Sequence, residues 1–340
     1  MGNREFRKAA WWSMGAVATL GLYAVSRRTR GYENVAEELR SAFSRFQSPS
    51  IGPVTLPLAQ AATRRPTRCV KGVELEVRHI EGPDGQPLPI YIYRPRVLKS
   101  AGAAMLYTHG GGMIIGSAPA YHENVSAFAR DLGIVVVSAE YRLAPQHPFP
   151  APLDDVHTAY RWLVASTEEL GVDARNIVVA GESAGGGLTA ALCQRVHDLR
   201  EQAPVFQLLI YPMLDDRTAA TPPDDHTGQI LWTRASNHFG WTSYLGHAPG
   251  RAEPDRYSVP ARREDVSGLP PAWIGVGTLD LFHDEDVEYA RRLNEAGVAC
   301  DLVVIDGGFH GFDGFYPATA VARRFRGSAI DAVARAISGA

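Results

Sequence analysis

An α/β protein built on one mostly parallel, eight-stranded sheet, with helices on both faces, is the architecture that this 340-residue sequence predicts. Short apolar runs alternate with longer helical patterns along the chain. The runs are almost continuously hydrophobic, as strands covered on both faces must be. With 45% hydrophobic and 21% charged residues, the chain has enough apolar material for a sizeable core.

Strands are expected near residues 73–80, 88–95, 103–109, 133–140, 176–182, 204–211, 272–279 and 300–306, and helices near 121–132, 153–167, 184–198, 284–297 and 319–338. The first two strands form a hairpin, with Gly85 of Gly82-Pro83-Asp84-Gly85 at its turn. Ala103 to Tyr107 is a buried run that leads into Thr108-His109-Gly110-Gly111-Gly112. Asp154 and Asp155 follow Pro152, and read as capping charges at a helix start. Asn176 to Ala180 is a short apolar strand, and Gly186 to Val196 continues with the small and apolar residues of a packed helix. Ala272 to Val276 and Asp301 to Ile305 close the sheet.

Two segments break this rhythm: residues 32–70, and the long connection 214–259. Connections of that length inside a compact domain usually carry a lid or a binding surface. In the second, Leu231, Trp232, Phe239, Trp241, Tyr244 and Leu245 recur at roughly helical spacing. The expected organisation is an N-terminal segment 1–31, a first cap part 32–70, a core 71–213, a second cap part 214–259 and a core 260–340.

Two glycine motifs carry the chemistry. In Gly181-Glu182-Ser183-Ala184-Gly185, glycines two residues either side of a serine let the backbone turn sharply from strand into helix, holding the hydroxyl of Ser183 out as a nucleophile. The three consecutive glycines 110–112 leave backbone N–H groups uncovered. Together with the N–H of Ala184 they are candidates to bind an oxyanion. A phosphate loop would end in Gly-Lys-Ser or Gly-Lys-Thr, whereas Met113-Ile114-Ile115 follows here.

With these motifs the chain resembles the hormone-sensitive-lipase-like, His-Gly-Gly-Gly-containing carboxylesterases of the α/β-hydrolase superfamily, over most of residues 70–316. Tyr141-Arg142-Leu143-Ala144-Pro145 and Pro148-Phe149-Pro150-Ala151 are similar to the proline-rich segment of that family, while Glu182 stands where the family often has Asp. The resemblance implies an α/β-hydrolase fold, no cofactor, and a serine–histidine–acid triad whose acid and histidine follow the serine at strand ends. Asp280, the first acid after the seventh strand, and His310 of His310-Gly311-Phe312 occupy those places. Asp284 and Glu285 read instead as charges at a helix N-terminus, and Asp306 as a turn residue. The resemblance also makes the two irregular segments a cap over Ser183, with Trp232, Phe239 and Trp241 as pocket residues, and points to an uncharged ester with a short or medium acyl chain. Ordinary packing of a cap helix is the competing reading of those aromatics. Lactone, amide or thioester hydrolysis, or a non-catalytic small-molecule receptor, are the alternative functions.

Other classes fit poorly. A net charge of −3 without a basic stripe argues against nucleic acid as a partner. None of the eleven histidines shows the His-Glu-x-x-His spacing of a zinc site, and His109 reads as a brace for the glycine loop. Cys69, Cys193 and Cys300 are too few and scattered for a disulfide framework, although pairing of two of them stays open. Residues 9–25 carry no charge, with Arg4, Arg7 and Lys8 before them and Arg27, Arg28 and Arg30 after. A membrane anchor, a secretory signal and an ordinary cap helix all suit that pattern, so cytoplasmic and membrane-associated locations are both open, as is the oligomeric state.

Overall fold

A computed structural model describes residues 27–99, 102–221 and 226–339. Its eight strands are β1 (Val73–Glu81), β2 (Pro87–Pro95), β3 (Gly102–Thr108), β4 (Val135–Ala139), β5 (Val172–Glu182), β6 (Phe206–Ile210), β7 (Ala272–Gly277) and β8 (Cys300–Ile305). They form one sheet in the order β1-β2-β4-β3-β5-β6-β7-β8. The hairpin β1–β2 and the pair β2–β4 are antiparallel. All later pairs are parallel. The longer helices are α1 (Leu56–Thr63), α2 (His122–Leu132), α3 (Ala151–Ala165), α4 (Ala184–Leu199), α5 (Arg234–Leu245), α6 (His283–Glu295) and α7 (Ala320–Ser338).

The strand periodicity of two decides which helix each residue meets. On β3, Ala104 and Leu106 join Leu153, Val156, Leu188 and Leu192 of α3 and α4 on one face. Ala103, Met105 and Tyr107 join Ala129 of α2 and Phe325, Ala329 and Val333 of α7 on the other. The same alternation divides Ile177 and Val179 from Val178 and Ala180 on β5. A core on each side of the sheet is the result. β5 begins four residues earlier than its apolar run, because Val172 pairs with Gly102 across a register shift.

The connection from Leu214 to Val259 leaves and re-enters this core through a closed base. Ala261 N–H donates to the Leu214 carbonyl at 3.1 Å, and Arg262 pairs with Asp216 at 2.7 Å. Glu285, on the first turn of α6, accepts from Leu214 N at 2.7 Å, from Asp215 N at 3.1 Å and from the Thr218 hydroxyl. Burial holds its carboxyl well above the usual range. Glu285 thus stands in the first turn of its helix, as the sequence implied, but buried against the Leu214 turn, whereas Asp284 beside it is exposed. The reading of Asp154 and Asp155 as capping charges is corrected, since α3 starts at Ala151 with no side-chain cap. Buried Asp155 accepts from the backbone N–H and guanidinium of Arg142, and Asp154 pairs with Arg195. A proline at the second helical position had made both acids look terminal.

Residues before β1 pack against this second connection. Ser48 N–H donates to the Gln229 carbonyl at 2.8 Å, the Ser48 hydroxyl accepts from Leu231 N at 2.8 Å, and Ser50 meets Thr233 at 2.9 Å. The segment starts earlier than residue 32: Arg28 forms a bridge with Phe46, and Thr29 binds the Arg45 and Ser44 carbonyls. The apolar run 9–25 lies outside the described residues. Among the described residues, no helix is long and apolar enough to cross a membrane.

Candidate active site

Ser183 lies between the end of β5 and the start of α4, with φ +55° and ψ −123°. A non-glycine residue held there stores strain on the order of 1–3 kcal/mol, which the surroundings must hold in place. Two backbone bonds from the end of β6 do so: Ser183 N–H donates to the Ile210 carbonyl, and Met213 N–H donates to the Ser183 carbonyl, each at 2.9 Å. Gly185 is obligatory for a different reason. A Cβ there would lie 2.1 Å from the Thr108 carbonyl oxygen, so only glycine lets α4 start against β3.

The loops that follow β7 and β8 are laced together. Leu279 N–H donates to the Gly308 carbonyl at 2.9 Å, and Gly307 N–H to the Thr278 hydroxyl at 2.8 Å. This lacing carries Asp280 and His310 to the same place. His310 Nδ1 is 2.8 Å from Asp280 Oδ2, and His310 Nε2 is 3.0 Å from Ser183 Oγ. The second oxygen of Asp280 accepts from Phe282 N–H at 3.0 Å. All three side chains are buried. Residues 127 and 30 positions apart thus form one continuous hydrogen-bonded line from carboxylate to hydroxyl.

The glycine loop lies beside that line. The Cα of Gly110 abuts Ser183, since a Cβ on it would be 3.3 Å from the Ser183 Cβ. Gly111 and Gly112 have φ of +127° and +60°. Among the described residues, the N–H groups of Gly111, Gly112 and Ala184 donate to no backbone acceptor outside regular helix and strand pairing, whereas the Gly110 N–H faces the Tyr121 hydroxyl. His109 anchors the loop: its ring stacks on Tyr141 at 4.2 Å, its Nδ1 is 2.8 Å from the Gly110 carbonyl, and Tyr141 OH donates to the His109 carbonyl. Burial lowers its pKa to about 4. The imidazole is therefore neutral at physiological pH.

The aromatics expected to line a pocket separate into two groups. The outer rim of the Trp232 indole meets the glycine loop, so close that a Cβ on Gly112 would sit 2.0 Å from its ring. Its indole N–H donates to Asn237 Oδ1 at 3.2 Å. Leu231, just before it, has φ +64°, with Trp232 N–H closing a tight turn onto the Ile230 carbonyl at 2.9 Å. Its side chain reaches Gly311, next to His310. Phe239 is partly buried at the margin of the core. Trp241 is fully buried and packs edge-on against Tyr244, so ordinary packing of α5 accounts for it.

Other neighbours of the site had no signal in the sequence. Tyr211 and Phe282 meet the His310 ring edge-on, with centroids 4.8 and 5.2 Å away. Glu182 accepts from Tyr107 OH at 2.6 Å, and its carboxyl is pushed up by burial and then by the charge of Asp313. Cys69, Cys193 and Cys300 are all free thiols. Among the described residues, no group of three or more His, Cys, Asp or Glu is gathered for a metal ion.

With this geometry the comparisons with known proteins agree. Residues 105–314 match a family described as alpha/beta hydrolase fold. The chain belongs to that family. Within it, the chain is 36% identical to an ethyl acetate hydrolase of Pseudomonas putida, over 72% of this chain and 76% of the relative. It is 33% identical to the carboxylesterase NlhH of Mycobacterium tuberculosis, over 81% of this chain and 86% of the relative. Among solved structures it is similar to a bacterial heroin esterase, with a TM-score of 0.82 and 33% identity over 90% of this chain and 99% of that one. Esterase LipW from Mycobacterium marinum superposes with a TM-score of 0.77 and 30% identity, over 92% of this chain and 98% of that one. These relatives place the chain in the hormone-sensitive-lipase-like branch of the α/β-hydrolases.

Proposed function

We propose that this carboxylic ester hydrolase works through an acyl-enzyme formed on Ser183, with His310 as the base and Asp280 as the group that orients it. The observation that carries the reading is the unbroken line Asp280–His310–Ser183, with contacts of 2.8 and 3.0 Å. A serine hydroxyl is a weak nucleophile at neutral pH unless a base takes its proton and a third group fixes that base. As Ser183 Oγ attacks the ester carbonyl, its proton passes to His310 Nε2, and the carbonyl oxygen becomes an oxyanion. The C–O bond to the alcohol then breaks, and the alcohol leaves with the proton from His310. Water repeats the attack with His310 again as the base, releasing the acid and free Ser183. Neither half-reaction needs a cofactor.

The oxyanion is assigned to N–H groups of the Gly110–Gly112 loop and of Ala184. Each such donor typically contributes about 3–4 kcal/mol of transition-state stabilisation. Their support is the neutral, stacked His109 beneath the loop and Trp232 above it. Leu231 and Trp232 bring apolar surface to within contact of both Gly311 and Gly112, which favours an uncharged substrate with a short or medium acyl chain. That a relative is named for ethyl acetate fits the short end of this range. Residues 27–70 and 214–259 act together as the cap.

Hydrolysis of p-nitrophenyl esters from acetate to laurate by wild type and Ser183→Ala, with an organophosphonate to mark the reactive residue, tests the reading. Label on Ser183 and loss of turnover in the variant are expected. Undiminished turnover by folded Ser183→Ala would overturn the mechanism. Turnover restricted to lactones or thioesters would replace the substrate class.

A further inference from the structure

The end of β6 touches both the serine and the histidine. Ile210 and Met213 hold the backbone of Ser183 through its N–H and its carbonyl, each at 2.9 Å. Between them stands Tyr211, a non-glycine residue with φ +36° whose N–H is tied to the Gly275 carbonyl at 2.7 Å. Holding a tyrosine in the left-handed region of backbone space is unfavourable, so its surroundings must over-determine it. Its ring lies edge-on to His310 at 4.8 Å and parallel to Phe325 at 6.3 Å. Its hydroxyl donates to Asp313 Oδ1 at 3.1 Å, and Asp313 Oδ2 accepts from Arg326 Nε at 2.9 Å. Asp313 is buried and follows His310 by three residues, in the short helix Phe312–Phe315.

We infer that Tyr211 is a positioning residue that fixes the His310 imidazole relative to Ser183, and that Asp313, braced by Arg326, is its tether. The inference rests on the acyl-enzyme reading above. His310 has two hydrogen bonds in its ring plane, and these leave it free to tilt about the line joining them. Contacts across its faces and edges stop that tilt: Phe282 from one loop, and Tyr211 from the strand that also holds Ser183. Phe282 is carried by the acid loop and moves with Asp280, whereas Tyr211 is referenced to the serine. Its hydroxyl joins that reference to the histidine's own loop. A small misplacement of a base costs much in rate and little in substrate binding.

The test compares Tyr211→Phe, Tyr211→Leu, Asp313→Asn and the double variant Tyr211→Phe/Asp313→Asn, with rates normalised to active sites titrated by organophosphonate. Ser183→Ala is measured alongside. Tyr211→Phe is expected to lower kcat about tenfold, the rate equivalent of one lost hydrogen bond, with KM within twofold. The phosphonylation rate of Ser183 falls by the same factor. Tyr211→Leu loses the ring as well and is slower still, and the double variant is no slower than its worse single parent, because the tether is already cut. A kcat for Tyr211→Phe within twofold of wild type, a change confined to KM, or additive losses in the double variant would overturn the inference. If Ser183→Ala is inactive in that case, the acyl-enzyme reading survives; if it remains active, that reading fails first.

Discussion

Replacing Asp280 by Asn isolates the orienting role proposed for the carboxylate, because the substitution keeps volume and one hydrogen bond. Asp280 Oδ1 already accepts from Phe282 N–H at 3.0 Å, and the side chain is buried, so water cannot rearrange the contact. The asparagine oxygen therefore stays on Phe282 N–H, and its NH2 group faces His310 Nδ1. An NH2 donor requires Nδ1 to be the unprotonated nitrogen. The imidazole proton then sits on Nε2, 3.0 Å from Ser183 Oγ, where a lone pair is needed to take the serine proton. Loss of the correct tautomer, together with loss of the charge that stabilises imidazolium, costs about 10⁴-fold in kcat in an analogous serine hydrolase, or about 5.5 kcal/mol. We expect Asp280→Asn to show a fall of that order with p-nitrophenyl butyrate, at unchanged circular dichroism and thermal midpoint. A folded variant within tenfold of wild type would refute the tautomer argument and remove Asp280 from the mechanism.

Gly112→Ala places a Cβ into the Trp232 ring at a φ of +60°, so the loop must shift; kcat/KM is expected to fall about 10²-fold, measured on the acetate ester. His109 has a folded pKa lowered from 6.5 to about 4, so the unfolded chain binds the extra proton within that window. Its contribution is intact above pH 6.5 and is lost as pH falls towards 4, by about 3 kcal/mol in total. Urea titrations at pH 7 and 4.5 should show that excess loss in wild type and not in His109→Gln. Truncation after residue 31 removes the Arg28–Phe46 bridge and the Thr29 bonds, whereas truncation after residue 26 keeps them. The shorter chain is expected to be less stable than the longer by about 1–3 kcal/mol in chemical denaturation.

Strand and helix positions were legible because burial on both sheet faces writes itself as apolar runs, and Ser183, Asp280 and His310 because each stands at the end of one. What escaped was whatever depends on partners far away in the chain. Val172-Asp173-Ala174-Arg175 has no strand pattern, and joins β5 only through Gly102. Nothing local shows that Asp155 is held by Arg142 or that Glu285 supports the Leu214 turn. Tyr211 reads as the last residue of a strand, and nothing local reveals that its ring reaches His310 or that its backbone is strained. Trp232 and Trp241 look alike in the sequence and both are buried, yet Trp232 precedes the helix and covers the glycine loop, whereas Trp241 lies inside the helix and packs on Tyr244.

The closed base of the 214–259 connection separates the middle of the excursion from the backbone that holds Ser183. Leu214 with Ala261, Asp216 with Arg262, and Glu285 across the first turn together act as a rivet, fastening both ends of the excursion to α6 and β6. Changes in length or sequence beyond residue 218 are absorbed before they reach Met213, the residue that holds the Ser183 carbonyl. A foreign excursion from a related hydrolase, spliced between residues 219 and 258, would inherit the backbone hold on Ser183 but would have to resupply the contacts that Leu231 and Trp232 make with Gly311 and Gly112, and with them its own preference for substrate.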